Sequence, residues 1–327
     1  MLVDQFGREV TYVRMSVTDR CDFRCVYCMD EEMTFLPRSQ VLTLEEIALV
    51  GRAFVELGVK KIRLTGGEPL IRNNVLSLVR EMGQMSGLKE LVITTNGGKL
   101  KTLARPLVEA GVSRINISLD SLNEQKFRAL TRTGSLKQVL EGVEAACEAG
   151  FERIKLNAVI LKGRNDDEII DLVRYARDKS IDISFIEEMP LGQISSHSRE
   201  EAYCSSDEIR QTIEHCFPLT PNIASTGGPS RYYSMADSRS LVGFISPHSH
   251  NFCGDCNRVR VTVEGRLLLC LGNEHSVDLM PILRSAPGHI APVKEAIVAA
   301  MALKPERHYF NLSEEPQILR FMNTTGG

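Results

Sequence analysis

Two groups of cysteines carry the chemistry open to this chain. Near the start, Arg20-Cys21-Asp22-Phe23-Arg24-Cys25-Val26-Tyr27-Cys28 spaces three thiols as C-x-x-x-C-x-x-C, with an aromatic just before the last. Thiolates this close share one centre only when the backbone curls around it. Soft sulfur ligands select zinc, copper(I) or iron–sulfur clusters. Three ligands are one short of a closed structural zinc site. On a four-iron cluster they would leave one iron open to a substrate or cofactor. Two plainer readings compete: three ordinary buried thiols, or a zinc loop that borrows a distant ligand. Near the end, Cys253-Gly254-Asp255-Cys256 forms a C-x-x-C knuckle. Strands over 259–263 and 267–269, joined by a Glu264-Gly265 turn, then predict a hairpin that returns Cys270 to the knuckle. Here a zinc ion completed by His248, His250 or His275 competes with a cluster. Two three-thiol groups on one chain are much rarer than either alone. Of the other cysteines, Cys147 reads as a small core residue on an apolar helix face, and Cys204 and Cys216 stand alone in a connecting region.

Composition narrows the setting. The chain has 327 residues, 43% hydrophobic and 25% charged, which suits a globular protein with a substantial core. A net charge of −3 gives no general case for nucleic acid or anionic membrane, so any anion must be met by a local group of Arg and Lys. There is no apolar run long enough to span a bilayer, and Met1-Leu2-Val3-Asp4-Gln5 does not read as a signal peptide. Nine cysteines, six of them in two tight groups, predict metal ligands in a reducing cytoplasm rather than a disulfide framework.

The elements that must position these groups alternate. Strands are predicted over 13–17, 62–65, 91–95, 115–119, 154–160 and 183–186. Thr43-Leu44-Glu45-Glu46 predicts a capping box, followed by Ile47, Val50, Phe54 and Leu57 at helical spacing until Gly58. A further helix opens at Ser135 and closes at Gly150, and another opens at Asn165 with Glu168 three residues on. Strand–helix alternation of this kind predicts parallel βαβ units, in an open sheet or a barrel. Either arrangement collects reactive groups at the C-terminal ends of the strands. The cysteine loop, Gly66-Gly67-Glu68, Thr94-Thr95-Asn96, and Ser118 with Asp120 fall there. Beyond residue 190 the rhythm breaks: 190–203 reads as a polar loop, Ser205-Ser206-Asp207-Glu208 starts a helix, and 218–239, rich in Ser, Gly and Pro, reads as irregular.

The first cysteine loop, with Tyr27 inside it, resembles the signature of the radical S-adenosylmethionine (SAM) enzymes. The pair of cysteine groups resembles one family closely, the GTP 3′,8-cyclases of molybdenum cofactor biosynthesis. The likeness covers residues 14–28, 61–69, 94–97, 115–120 and 252–260, and a terminal Gly326-Gly327. It implies an α/β fold: an incomplete (β/α)6 TIM-like barrel over 1–230, with a C-terminal extension over 231–327 that carries a second Fe–S cluster. The activity implied is conversion of GTP to 3′,8-cyclo-7,8-dihydro-GTP, started when a 5′-deoxyadenosyl radical takes the ribose 3′-hydrogen.

The resemblance also assigns residues. Cys21, Cys25 and Cys28 would hold a [4Fe–4S] cluster that cleaves SAM, and Cys253, Cys256 and Cys270 a second one whose open iron meets guanine. Tyr27, Gly67, Ser118 and Met189 would form the SAM site. Arg14, Arg63, Thr94, Lys155, Arg258 and Arg260 would bind GTP. Arg63 is notable in a strand otherwise apolar, where burial demands a partner. Gly326-Gly327 corresponds to a tail that reaches into the site. An electron donor, and a cyclic pyranopterin monophosphate synthase to receive the product, are implied partners, with the chain a monomer or homodimer. One position departs from the family: Ser184-Phe185-Ile186-Glu187 stands where Arg-Phe-Ile-Glu is usual. Two other readings remain at this stage, a different radical SAM enzyme with an auxiliary cluster and a non-catalytic zinc-stabilised protein that binds an anionic partner.

Overall fold

The strand β1 (Tyr12–Ser16) shows the rule that builds the frame. Val13 and Met15 turn to one face and are sealed from solvent, while Tyr12 and Arg14 turn to the other and line a cavity. The next strand, β2 (Lys61–Thr65), repeats this, with Ile62 and Leu64 opposite Arg63 and Thr65. Met15 and Ile62 crowd Gly51 of helix α1 (Leu44–Glu56), so the apolar face is the one that helices cover. Side chains on a strand alternate between faces. A polar set on the inner face therefore signals a lined cavity rather than a packed core.

The structure, a computed structural model, describes residues 1–194, 198–310 and 318–325; Gly326-Gly327 lies outside them. After β1 and β2 come β3 (Glu90–Thr95), β4 (Arg114–Ser118), β5 (Arg153–Val159) and β6 (Asp182–Ile186). Helices α1, α2 (Val75–Gly83), α3 (Leu100–Glu109), α4 (Glu124–Thr131), α5 (Leu136–Ala149) and α6 (Ile169–Asp178) lie between them. The later part of the chain adds β7 (Leu219–Asn222), β8 (Arg231–Met235), β9 (Leu241–Ile245), β10 (Arg258–Val261), β11 (Arg266–Leu268) and β12 (Ser276–Asp278). All join one twelve-stranded sheet, in the order β12-β11-β10-β1-β2-β3-β4-β5-β6-β9-β8-β7. The run from β10 to β9 is parallel, and antiparallel strands finish each edge. The sheet curls around the cavity without closing, the incomplete barrel expected. Register brings Tyr12 beside Arg258 and Lys61, and Arg14 beside Arg260 and Arg63.

Local signals account for the helices. Thr43 and Glu46 form the predicted capping box of α1, and Ser205 with Glu208 forms another at Ser206–Glu214. Gly150 closes α5 with a φ of 92°, a left-handed conformation that glycine adopts freely. Two expectations are corrected. The region 218–239 is not irregular, because β7 and β8 pair within it. Pro221 is tolerated there because β7 is an edge strand, with no further partner for a backbone N–H to reach. Asn165 opens a helical turn as expected, a 3-10 turn over Asp166–Glu168 that leads into α6, but its side chain makes no cap hydrogen bond. Its side chain bridges instead, accepting from Leu161 N (2.8 Å) and donating to the Asp120 (2.7 Å) and Val159 (2.9 Å) carbonyls, while Glu168 accepts from Ser121 and Leu122. Cys147 is exposed, whereas Cys204 is the one packed into the core.

Candidate active site

The first cysteine loop leaves the C-terminal end of β1 and packs on the Gly66-Gly67 turn after β2. Gly67 N donates to the Thr18 carbonyl at 2.7 Å and Glu68 N to the Arg20 carbonyl at 2.8 Å. A Cβ on Gly67 would collide with the Arg20 carbonyl, and one on Gly66 with that of Thr18. The atoms that demand glycine here belong to the segment that enters the cysteine loop, Thr18 to Arg20. Glu68, 1% exposed, accepts from Leu70 N, Thr95 Oγ1 and Asn96 N, and Asn96 Nδ2 donates to Asp22. Burial outweighs these bonds and lifts the Glu68 carboxyl to about 7. Tyr27 donates to Asp120 at 2.7 Å. From the far end of the chain, Met322 N donates to the Cys28 carbonyl (3.2 Å) and Asn323 Nδ2 to that of Asp19 (2.8 Å).

Burial, then neighbouring negative groups, raises all three thiols, Cys28 to about 12. Unassisted, they would stay protonated. Backbone N–H groups nonetheless point at two of the sulfurs, Phe23 N at Cys21 (3.3 Å) and Asn323 N at Cys28. Such donors suit thiolates bound to iron, and the donor set fits a cluster.

The second group sits at the opposite rim. The knuckle enters β10 at its N-terminal end, and Cys270 follows β11, which runs antiparallel to β10. Reactive groups therefore occupy both ends of the barrel, not the C-terminal end alone. Here the histidine that meets the thiols is His308, which the sequence did not single out. Its Nδ1 lies 3.0 Å from Cys253 Sγ, and its Nε2 lies 3.1 Å from the Pro247 carbonyl. A carbonyl only accepts, so Nε2 carries the hydrogen and Nδ1 accepts from the Cys253 thiol. His248 instead meets the Glu188 carbonyl and His250 pairs with Asp207; His275 is exposed. Lys304, 1% exposed, reaches Cys256 Sγ at 3.5 Å. Cys256 differs from the other site thiols: burial raises it, but Arg258, Lys304 and Arg260 reverse that and lower it. All nine cysteines are free thiols. Among the described residues, no three His, Cys, Asp or Glu side chains converge as they would around a single metal ion.

Between the two rims lies a band of cations. Arg14, Arg63, Lys155, Arg258 and Arg260 are gathered on the inner face, four of them no more than 8% exposed and Arg14 half-buried. Arg63 donates to Tyr12 Oη (2.6 Å) and Thr94 Oγ1 (2.8 Å), which supplies the partner its strand required. The Nε atoms of Arg14 and Arg260 are buried without any acceptor. Burial and mutual repulsion press both guanidiniums down, Arg260 to about 10. A buried, unpaired charge is costly unless an anion arrives. Lys61 joins the band from below, pairing with Glu90 at 2.9 Å and donating to the Thr226 carbonyl. Tyr232 is buried, with its hydroxyl 3.3 Å from Lys155 Nζ. Ser184 is sealed from solvent against Ser230, Oγ to Oγ 2.9 Å.

One cavity is lined by every residue the sequence assigned: the six cysteines, Tyr27, Gly67, Ser118 and Met189, and Arg14, Arg63, Thr94, Lys155, Arg258 and Arg260. Sequence reasoning missed Tyr12, Lys304 and His308 as lining or supporting groups.

Residues 15–176 match the Radical SAM superfamily and residues 181–310 match Molybdenum Cofactor Synthesis C. GTP 3′,8-cyclases of Saccharophagus degradans and Marinobacter nauticus are 63% and 64% identical over 326 residues, covering 100% of this chain and 98% of each relative. The chain belongs to the GTP 3′,8-cyclase family. As a radical SAM family it brings a [4Fe–4S] cluster and SAM. Among solved structures, Streptococcus suis SuiB superposes with a TM-score of 0.61 at 14% identity, over 88% of this chain and 68% of that one. That likeness supports the fold of this GTP 3′,8-cyclase family member and nothing beyond it. No helix among the described residues is long and apolar enough to cross a membrane.

Proposed function

We propose that this chain converts GTP to 3′,8-cyclo-7,8-dihydro-GTP, the opening step of molybdenum cofactor biosynthesis. The observation that carries this reading is the cation band, with Arg14 Nε and Arg260 Nε left without acceptors, lying between two incomplete thiol sets in one cavity. Cys21, Cys25 and Cys28 hold the SAM-cleaving cluster; Cys253, Cys256 and Cys270 hold a second [4Fe–4S] cluster within the C-terminal part, residues 231–327. When bound, these groups supply a 5′-deoxyadenosyl radical at one rim and an open iron for guanine at the other. The chain's own residues do the placing. The backbone at Tyr27 and Gly67, with Ser118 and Met189, seats SAM. Arg14, Arg63, Lys155, Arg258 and Arg260 grip the triphosphate, and Thr94, already accepting from Arg63, keeps its hydroxyl hydrogen for a phosphate oxygen. Guanidiniums grip phosphate bidentately, which fixes orientation as well as affinity. With its phosphates anchored, GTP presents the ribose 3′-hydrogen to the first rim and its base to the second. Phe23, Phe127, Phe252 and Phe310 line the cavity and exclude water from the reacting carbons. An electron donor and the cyclic pyranopterin monophosphate synthase that takes the product complete the setting, in a reducing cytoplasm. The test is anaerobic turnover with SAM, a reductant and each nucleoside triphosphate in turn. Deoxyadenosine should form in dependence on GTP; equal yield with ATP, or with no nucleotide, would sink the assignment.

A pH effect on binding follows from Tyr12. Burial alone would raise its phenol above the usual 10, but Arg63, Arg14, Lys61 and Arg258 reverse that and bring it to about 7. Bound triphosphate neutralises those cations, so the phenol climbs back and takes up a proton. GTP affinity should therefore fall as pH rises from about 7 towards 10. Calorimetry in buffers of different ionisation enthalpy measures the uptake, and Tyr12→Phe should remove this component. Uptake identical in Tyr12→Phe would exclude Tyr12 as its source.

A further inference from the structure

Lys304 is the most deeply buried lysine among the described residues, at 1% exposure, and it follows a single 3-10 turn at Met301–Leu303. Its ammonium donates to the Leu269 carbonyl at 2.9 Å and reaches Cys256 Sγ at 3.5 Å. Its described partners include no carboxylate. An ammonium taken out of water needs an anion to offset its lost hydration. The anion this position offers is sulfur.

The placement is built from several directions. Gln5 Nε2 donates to the Lys304 carbonyl at 3.2 Å. Arg8, held by Asp4 at 2.6 Å, donates to the Pro305 carbonyl (2.6 Å), the Glu306 carbonyl (2.6 Å) and the Cys253 carbonyl (2.8 Å). One guanidinium thus ties the knuckle to the lysine segment. The two thiol sets also sit among opposite charges. Around the first are Glu68, Asp22 and Asp120; around the second are Arg258, Arg260 and Lys304.

We propose that Lys304 is the counter-cation of the second thiol set, a positioning residue whose N–H···S bond to Cys256 holds that centre together and raises its reduction potential above that of the first. This rests on the reading that Cys253, Cys256 and Cys270 hold a cluster. Hydrogen bonds to the sulfurs and local positive charge are among the levers that set such potentials.

The test uses the full chain, reconstituted anaerobically with iron and sulfide, as wild type, Lys304→Met and Lys304→Arg. Iron per chain and the midpoint potential of each centre are measured, the latter by a redox titration followed by electron paramagnetic resonance. Wild type should carry about eight irons, with the second centre reduced first. In Lys304→Met the second centre should move to a lower potential, or be lost alone so that iron falls to about four. The first centre should not shift, and Lys304→Arg should stay close to wild type. An unmoved second potential in a fully loaded Lys304→Met overturns the proposal. So does loss of both centres together, which would make the lysine a general structural element. A wild type that takes up only about four irons, with the first centre intact, would overturn the second-cluster reading and this proposal with it.

Discussion

Cys256→Ser should still cleave SAM but fail to cyclise GTP, whereas Cys25→Ser should do neither. The two thiols stand at opposite rims of the barrel, on the loop after β1 and on the knuckle before β10. No described hydrogen bond links the two groups directly, so damage at one rim leaves the other's supports in place. The cyclisation loss in Cys256→Ser should exceed the roughly 10–100-fold that removing an outer partner of a metal ligand costs. Deoxyadenosine and the cyclised nucleotide are quantified in the same anaerobic reaction. Equal loss of SAM cleavage in both variants would show that the division of labour is misassigned.

Arg14→Met should move binding and stability in opposite directions. Its Nε is buried with no acceptor, and burial holds its pKa well below the usual value. Losing a charged hydrogen-bond donor to phosphate costs about 1.5–3 kcal/mol, or roughly 10–100-fold in GTP affinity. Without nucleotide, the same change deletes an uncompensated charge, so the melting temperature should rise. Isothermal titration reads the first effect and calorimetric unfolding the second. A variant that melts lower without nucleotide would mean that Arg14 is paired in the resting protein, and the cation band would lose its argument as a site waiting for an anion.

Much of this arrangement was legible in the chain because its signals are local. Capping boxes at Thr43 and Ser205, compact apolar strands and the spacing of both cysteine groups each act within a few residues. The six core strands followed from them, and the resemblance supplied the remaining assignments. What stayed hidden depends on return. Lys304 and His308 come within reach of Cys256 and Cys253 only because the segment after Ile290–Ala300 folds back under the knuckle, and nothing near residue 304 announces that. Tyr12 lay just outside the strand read over 13–17, and only register sets it beside Arg258 and Lys61. β7 and the β8 paired to it escaped notice because an edge strand such as β7 tolerates Pro, which weakens the usual pattern. Cys147 was misplaced because helical spacing gives a face, while its depth depends on what packs there.

The hold of residues 322 and 323 on the first cysteine loop has a consequence for biogenesis. Cys28 leaves the ribosome about 300 residues ahead of the groups that bond to it, an interval of roughly 15–60 s at ~5–20 residues per second. Throughout that interval the thiols lack their last supports, so sulfur and iron have open access to a nascent loop. Once Met322 and Asn323 dock, the same loop is latched by two further backbone carbonyl bonds. Truncations that remove residues 322 and 323 should therefore yield protein that takes up iron yet releases it readily.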